Sequence, residues 1–133
     1  GSEMWVSSEI GGTLTVFETA TQTELAKTSF EVPGVHADRV QPVGFEFGPD
    51  DAFAYVALGP SNHIAVVNAQ TYAVEDYILV GRRVWHMAFN ADKSRLFTTN
   101  GVSGDVTVVD AAARKAIKSI KVGRFPWGAA FRP

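Results

Sequence analysis

The sequence holds 133 residues, one domain's worth, enough to bury about two-thirds of its unfolded surface. A hydrophobic share of 46% against 20% charged residues excludes a disordered chain, and a formal charge of −2 gives no global attraction for nucleic acid. The absence of cysteine excludes disulfides, thiolate nucleophiles and cysteine-zinc centres, and no apolar run reaches the roughly 18–20 residues that a membrane-spanning helix needs.

In chain order, Gly1 and Ser2 look like the scar of a removed purification tag, so no signal peptide would be expected here even for an exported protein. Residues 3–52 form a first unit that opens on its second strand, Met4–Ser8, and continues through LTVFE and TELAKTSFEV. It carries an inserted loop at 33–42, and ends with the innermost strand of the next unit around Phe47. Residues 53–95 form a second repeat and residues 96–133 a third, closing on an innermost strand at Trp127–Arg132. Within each unit, short runs of β-branched and aromatic residues alternate with period two between turn residues, which predicts strands. AAARKAIKSIKV has the composition of a helix, but its counterparts TQTELAKTSFEV and TYAVEDYILV are too rich in Thr, Val, Tyr and Phe, so turn plus strand is expected.

The units are copies of one another. VGRRVWHMAF at 80–89 returns as VGRFPWGAAF at 122–131, and Phe47, Phe89 and Phe131 recur at an interval of forty-two. Ile64–Asn68 matches Val106–Asp110 at the same interval, whereas Leu14–Glu18 precedes Ile64–Asn68 by fifty, which locates the insertion in PGVHADRVQPVG. Four strands per unit of about forty residues is the arithmetic of a β-propeller blade. The expected fold is therefore all-β: a propeller fragment of three four-stranded antiparallel blades, about twelve strands.

The run LFTTNGVSGDVTVVDAAARKAIKSIKVGRFPWGAAFRP resembles the YVTN-type propeller repeat, with Ala54–Ala57 and Phe97–Asn100 at the naming motif. MWVSSEIGGTL, the Pro-Gly insertion, QPVGFEF and VALGPSNHIAVV resemble the C-terminal blades of propellers associated with PQQ-dependent alcohol catabolism. That resemblance implies an exported protein, periplasmic or extracellular, and an innermost strand that lines a central channel. It departs from the family in blade number, because a propeller typically has four to eight blades. Three wedges alone leave β edges and apolar faces open, so a homo-oligomer is expected. One chain's last strand would complete another's first blade, giving six blades as a dimer.

Alternating strand direction gathers the loops before each innermost strand on one face, together with the turns EIGG, GPSN and GVSG. Arg82, Arg83, Arg124 and Arg39 on this face suit a small anionic ligand through forked, charge-assisted bonds. Arg82 and Arg124 recur at one repeat position, so bracing between blades is the alternative for them; Arg83, replaced by Phe125 and Gln41 in the other copies, is freer to serve a ligand. Trp85 and Trp127 share a position and suggest packing or ligand stacking. His86 stands where the other copies have Gly44 and Gly128, and His36 sits in the insertion; either is a ligand contact or a structural histidine. His36, His63 and His86 lack any HxH or HExxH spacing, so no metal site is expected, and no cofactor. No GxSxG turn, phosphate-cradling loop or paired carboxylates give a catalytic constellation.

The reading these residues favour is a non-catalytic binding propeller using the arginine- and aromatic-rich face. A PQQ-dependent dehydrogenase is a partner implied by the resemblance; no nucleic acid and no membrane span are expected. Two alternatives stay open: a lactonase- or lyase-like propeller enzyme acting at the channel mouth, and an architectural cell-surface repeat.

Overall fold

The computed structural model describes residues 1–132, so the last residue of the third repeat lies outside it. Eleven strands are formed among the described residues: β1 (Glu3–Ser8), β2 (Thr13–Glu18), β3 (Glu24–Ser29), β4 (Phe45–Phe47), β5 (Phe53–Ala57), β6 (His63–Asn68), β7 (Val74–Leu79), β8 (Val84–Phe89), β9 (Arg95–Asn100), β10 (Asp105–Asp110) and β11 (Lys115–Lys121). They make three antiparallel meanders, β1-β2-β3, β4-β5-β6-β7 and β8-β9-β10-β11.

The repeat in sequence is a repeat in backbone geometry. Each unit bulges at one equivalent place, after Val16, Val66 and Val108, and a bulge adds local twist to its strand pair. The outer hairpin of each unit passes through a left-handed residue, Gln22, Tyr72 and Arg114, with φ of 59°, 59° and 50°. None of the three is glycine, so the hairpin ladder, not residue type, imposes that conformation.

Apolar faces meet between the sheets. Leu14 and Trp5 of the first sheet pack on Ala54, Val56, Leu58, Ala65 and Val67 of the second. Tyr55, Ala57, Ile64, Val66 and Ile78 on the second sheet's other face pack on Val84, Met87, Leu96 and Val109 of the third. A large aliphatic side chain fully buried in this way contributes about 1.5–3 kcal/mol. The insertion is anchored too: Val32 and Val40 are buried against the first core, and a 3-10 turn at Ala37–Arg39 links them to β4.

An aromatic pair at equivalent repeat positions marks each junction. Trp5 meets Phe47 at 5.2 Å between ring centroids, Tyr55 meets Phe89 at 5.3 Å, and Phe97 meets Phe131 at 4.7 Å. The third pair seats residues 127–131 where the innermost strand of a following blade would run. The expected twelfth strand is nevertheless not formed. An innermost strand takes its ladder bonds from the second strand of its own sheet, and no such strand lies beside Trp127–Arg132 among the described residues.

Tyr55 also donates its buried hydroxyl to the Ala111 carbonyl oxygen at 3.2 Å, and burial raises its pKa above the ordinary value. Tyr55→Phe keeps the ring and removes only that bond, so the midpoint of urea unfolding should fall by the equivalent of about 1 kcal/mol. An unchanged midpoint would show that the bond adds nothing to the junction.

Candidate functional site: the arginine and tryptophan loop face

The meander places the segments 9–12, 30–44, 58–62, 80–83, 101–104 and 122–126 at one end of the sheets, and backbone bonds knit them together. Val43 donates to Ala57 O at 2.8 Å, Val80 to Asn62 O at 2.9 Å, and Gly101 to Arg83 O at 2.9 Å. The loop Gly81–Arg83 is held most firmly. Its three successive N–H groups donate to Thr107 Oγ1 at 3.1 Å, Ser103 Oγ at 2.8 Å and Asn62 Oδ1 at 2.8 Å. Asn62 belongs to the second sheet and the other two acceptors to the third, so this loop is fixed between neighbours.

Arg83 takes a left-handed backbone, φ 56°, as does its counterpart Phe125, φ 52°. That conformation is costly for a side-chain-bearing residue, and the Asn62 bond to its N–H compensates. Its guanidinium lies 4.6 Å from the Trp85 ring centroid, a cation–π arrangement. Trp85 in turn meets Trp127 at 4.8 Å with ring planes at 49°. The result is a stack of the guanidinium over the Trp85 indole, with Trp127, 66% exposed, tilted against the same ring.

The other arginines do not join the stack. Arg82 and Arg124 are exposed, and Arg124 lies 5.7 Å from the ring centroid of its neighbour Phe125. Bracing at position 82 is done by the backbone: Arg82 N–H donates to Ser103, and its carbonyl accepts from Val102 at 3.1 Å. Arg124, Phe125 and Lys121 border a hollow of about 370 Å³ against the turn Gly101–Gly104. Arg39 is turned onto the second sheet's turn, donating to Pro60 O at 3.0 Å.

The histidines have three separate environments. His36 Nδ1 pairs with Asp38 Oδ1 at 2.6 Å on an exposed loop, and His63 Nδ1 donates to Ser61 O at 2.7 Å. His86 lies between Gly44 and Gly128, its Nδ1 buried and without a hydrogen-bond partner among the described residues. No group of three or more His, Cys, Asp or Glu among the described residues is placed to hold a metal ion.

Under this face lies a polar cluster that repeat reading does not anticipate. Asn100 Nδ2 donates to Asp105 Oδ1 at 3.0 Å and to Thr107 Oγ1 at 2.9 Å, and Thr98 donates to Asn100 Oδ1 at 3.0 Å. Ser103 and Ser119 donate to the two Asp105 oxygens. Burial alone would raise the Asp105 pKa; bonds from Ser103, Ser119 and Asn100, with the nearby Lys121 charge, outweigh it and hold the carboxyl below its ordinary value. At the matching positions the second sheet has Leu58, His63 and Ala65, so the departure from the repeat was the available signal. The cluster supplies two of the three acceptors for Gly81–Arg83, and thereby positions Arg83 indirectly.

No helix among the described residues is long and apolar enough to cross a membrane. No family model matches the sequence, and no curated protein matches it. Among solved structures, the chain is similar to Kuenenia stuttgartiensis hydrazine synthase, with a TM-score of 0.84, 21% identity and 96% of the chain covered. It is also similar to U3-55K, with a TM-score of 0.77, 14% identity and 93% covered. The chain spans 35% of the first of those chains and 37% of the second. Both have β-propeller folds, and with three meanders packed face to face the chain is a β-propeller fragment.

Proposed function

We propose that this chain is the binding part of a non-catalytic interaction propeller, with the Arg83–Trp85–Trp127 stack as its contact for a small anionic, planar ligand. The observation that carries this reading is the stack itself: a cation held over the Trp85 indole, with a second, largely exposed indole tilted against that ring. Arg82, Arg124 and Lys121, all exposed, add positive charge at the same end of the sheets. Stacking supplies area, and the guanidiniums supply forked bonds to carboxylates. Loops on a rigid β scaffold are where such recognition is built.

The sequence resemblance to propellers of PQQ-linked alcohol oxidation supports a place in the periplasm or outside the cell, with a PQQ-dependent dehydrogenase as protein partner. It also supplies a probe, since pyrroloquinoline quinone is a planar aromatic polycarboxylate. The open outer sheets support a ring completed by a second copy of the chain, giving six blades.

Titration of the chain with pyrroloquinoline quinone should quench tryptophan emission, with an affinity that weakens as salt is added. Arg83→Ala should reduce the affinity about tenfold, the value of one charge-assisted contact. Equal affinity for the variant would remove the stack as the ligand site.

A further inference from the structure

We infer that two copies of this chain join by building a shared blade, in which Gly128–Phe131 of one copy adds as the innermost strand to β1 of the other. This rests on the proposed ring and specifies its contacts.

The register follows from two junctions already formed within the chain. In the second sheet Phe45 faces Val56, Glu46 faces Tyr55 and Phe47 faces Ala54; in the third, Met87 faces Thr98, Ala88 faces Phe97 and Phe89 faces Leu96. The same positions in the last segment and in β1 set Ala129 opposite Val6, Ala130 opposite Trp5 and Phe131 opposite Met4. One side of this joint is preorganised. Phe131 is already seated on Phe97, and Thr99 Oγ1 already donates to Trp127 O at 2.9 Å. The segment is therefore positioned as a strand whose ladder bonds are unspent, a template for strand addition.

The receiving side is β1, whose free edge pairs with no strand among the described residues. Met4 is 51% exposed and Val6 40%, and Met4 and Phe17 border a hollow of about 350 Å³. These residues occupy the places that Ala54, Val56 and Val67 fill in the second sheet, where they are buried against a neighbouring blade. Ile120, 38% exposed, belongs to the opposing outer face.

A polar contact sets this surface apart from a generic apolar one. At the inner junction Gly81 N–H donates to Thr107 Oγ1. The repeat equivalents are Gly123, whose N–H makes no hydrogen bond among the described residues, and Thr15 in β2, beside Val6. Docked copies bring the Gly123 N–H of one to the Thr15 hydroxyl of the other.

The test uses the full chain. Light scattering at micromolar concentration should give twice the chain mass. Val6→Cys combined with Ala129→Cys, in a protein with no other cysteine, places two thiols at a non-hydrogen-bonded antiparallel pair, the closer of the two kinds. Mild oxidation should then give a covalent dimer. Val6→Cys with Ala130→Cys should not, because a one-residue slip turns the side chain to the other face. A dimer that cross-links only in the Ala130 pairing, or in neither, overturns this register and leaves the ring. A wild-type monomer overturns the ring, and this joint with it.

Discussion

Replacing Asp105 with alanine is expected to lower the unfolding free energy by about 1–3 kcal/mol, the range for removing a carboxylate that gathers charge-assisted bonds from one buried donor and two more open ones. The carboxylate accepts from Asn100, Ser103 and Ser119, three side chains on different segments of the third sheet. Without it, Asn100 keeps one of its acceptors, Thr107, and the two serines lose theirs. Asp105→Asn keeps the shape but turns one acceptor into a donor, so its cost should be smaller yet clear. The pH dependence has a definite sign. The folded pKa lies below the ordinary value because the hydrogen bonds outweigh burial, whereas an unfolded aspartate titrates near ~3.9. The stabilisation is therefore complete above about pH 5 and is lost as pH falls through the folded value. Urea unfolding at fixed protein concentration should show the wild type losing stability between about pH 5 and pH 3, with a shallower slope for Asp105→Ala. Parallel slopes would mean that this carboxyl titrates alike in the folded and unfolded chain.

The blades were legible because one pattern is written three times. The short β-branched runs Ile64–Asn68 and Val106–Asp110 between turn residues, and the forty-two-residue return of Phe47 as Phe89 and Phe131, locate strands and junctions without coordinates. The three junction aromatic pairs follow that interval. The Trp127–Arg132 strand was legible as a position but not as a pairing, since a ladder needs a partner strand that repeat arithmetic alone does not supply. The polar cluster was harder. Asn100 and Asp105 depart from the Leu58 and His63 of the second repeat, but that departure alone does not pair them; the cross-strand geometry shows that they face inward and satisfy one another. Val32 and Val40 were hidden for a related reason: in a Pro- and Gly-bearing loop, isolated valines carry no period that marks them as core. Of the loop-face residues, the tryptophans were equivalent by repeat, but the Arg83 stack depends on a left-handed backbone for which a non-glycine residue gives no sequence signal.

Gly101→Ala should break that stack from beneath. A Cβ at position 101 would collide with Trp85 Nε1 and sit 2.8 Å from Cδ1, far inside contact distance, and a rigid indole yields only by moving as a whole. The φ of Gly101 is not in the left-handed region, so alanine meets no backbone penalty and the effect is purely steric. The ring is also confined by Arg83 over it at 4.6 Å and by Trp127 tilted against it at 4.8 Å. Overpacking of this kind costs about 1–3 kcal/mol. The near-ultraviolet circular dichroism of the coupled indoles should diminish, and affinity for pyrroloquinoline quinone should fall about as far as in Arg83→Ala. Gly59→Ala provides the contrast at the equivalent turn of the second sheet. Its left-handed φ of 52° and the Gln41 carbonyl 2.9 Å from the new Cβ make it destabilising, but its side-chain neighbours are Gln41 and Val43 and no indole, so the indole signal and the affinity should survive. If Gly101→Ala keeps both, Trp85 is not seated by that glycine and the indole pair is not where the anion binds.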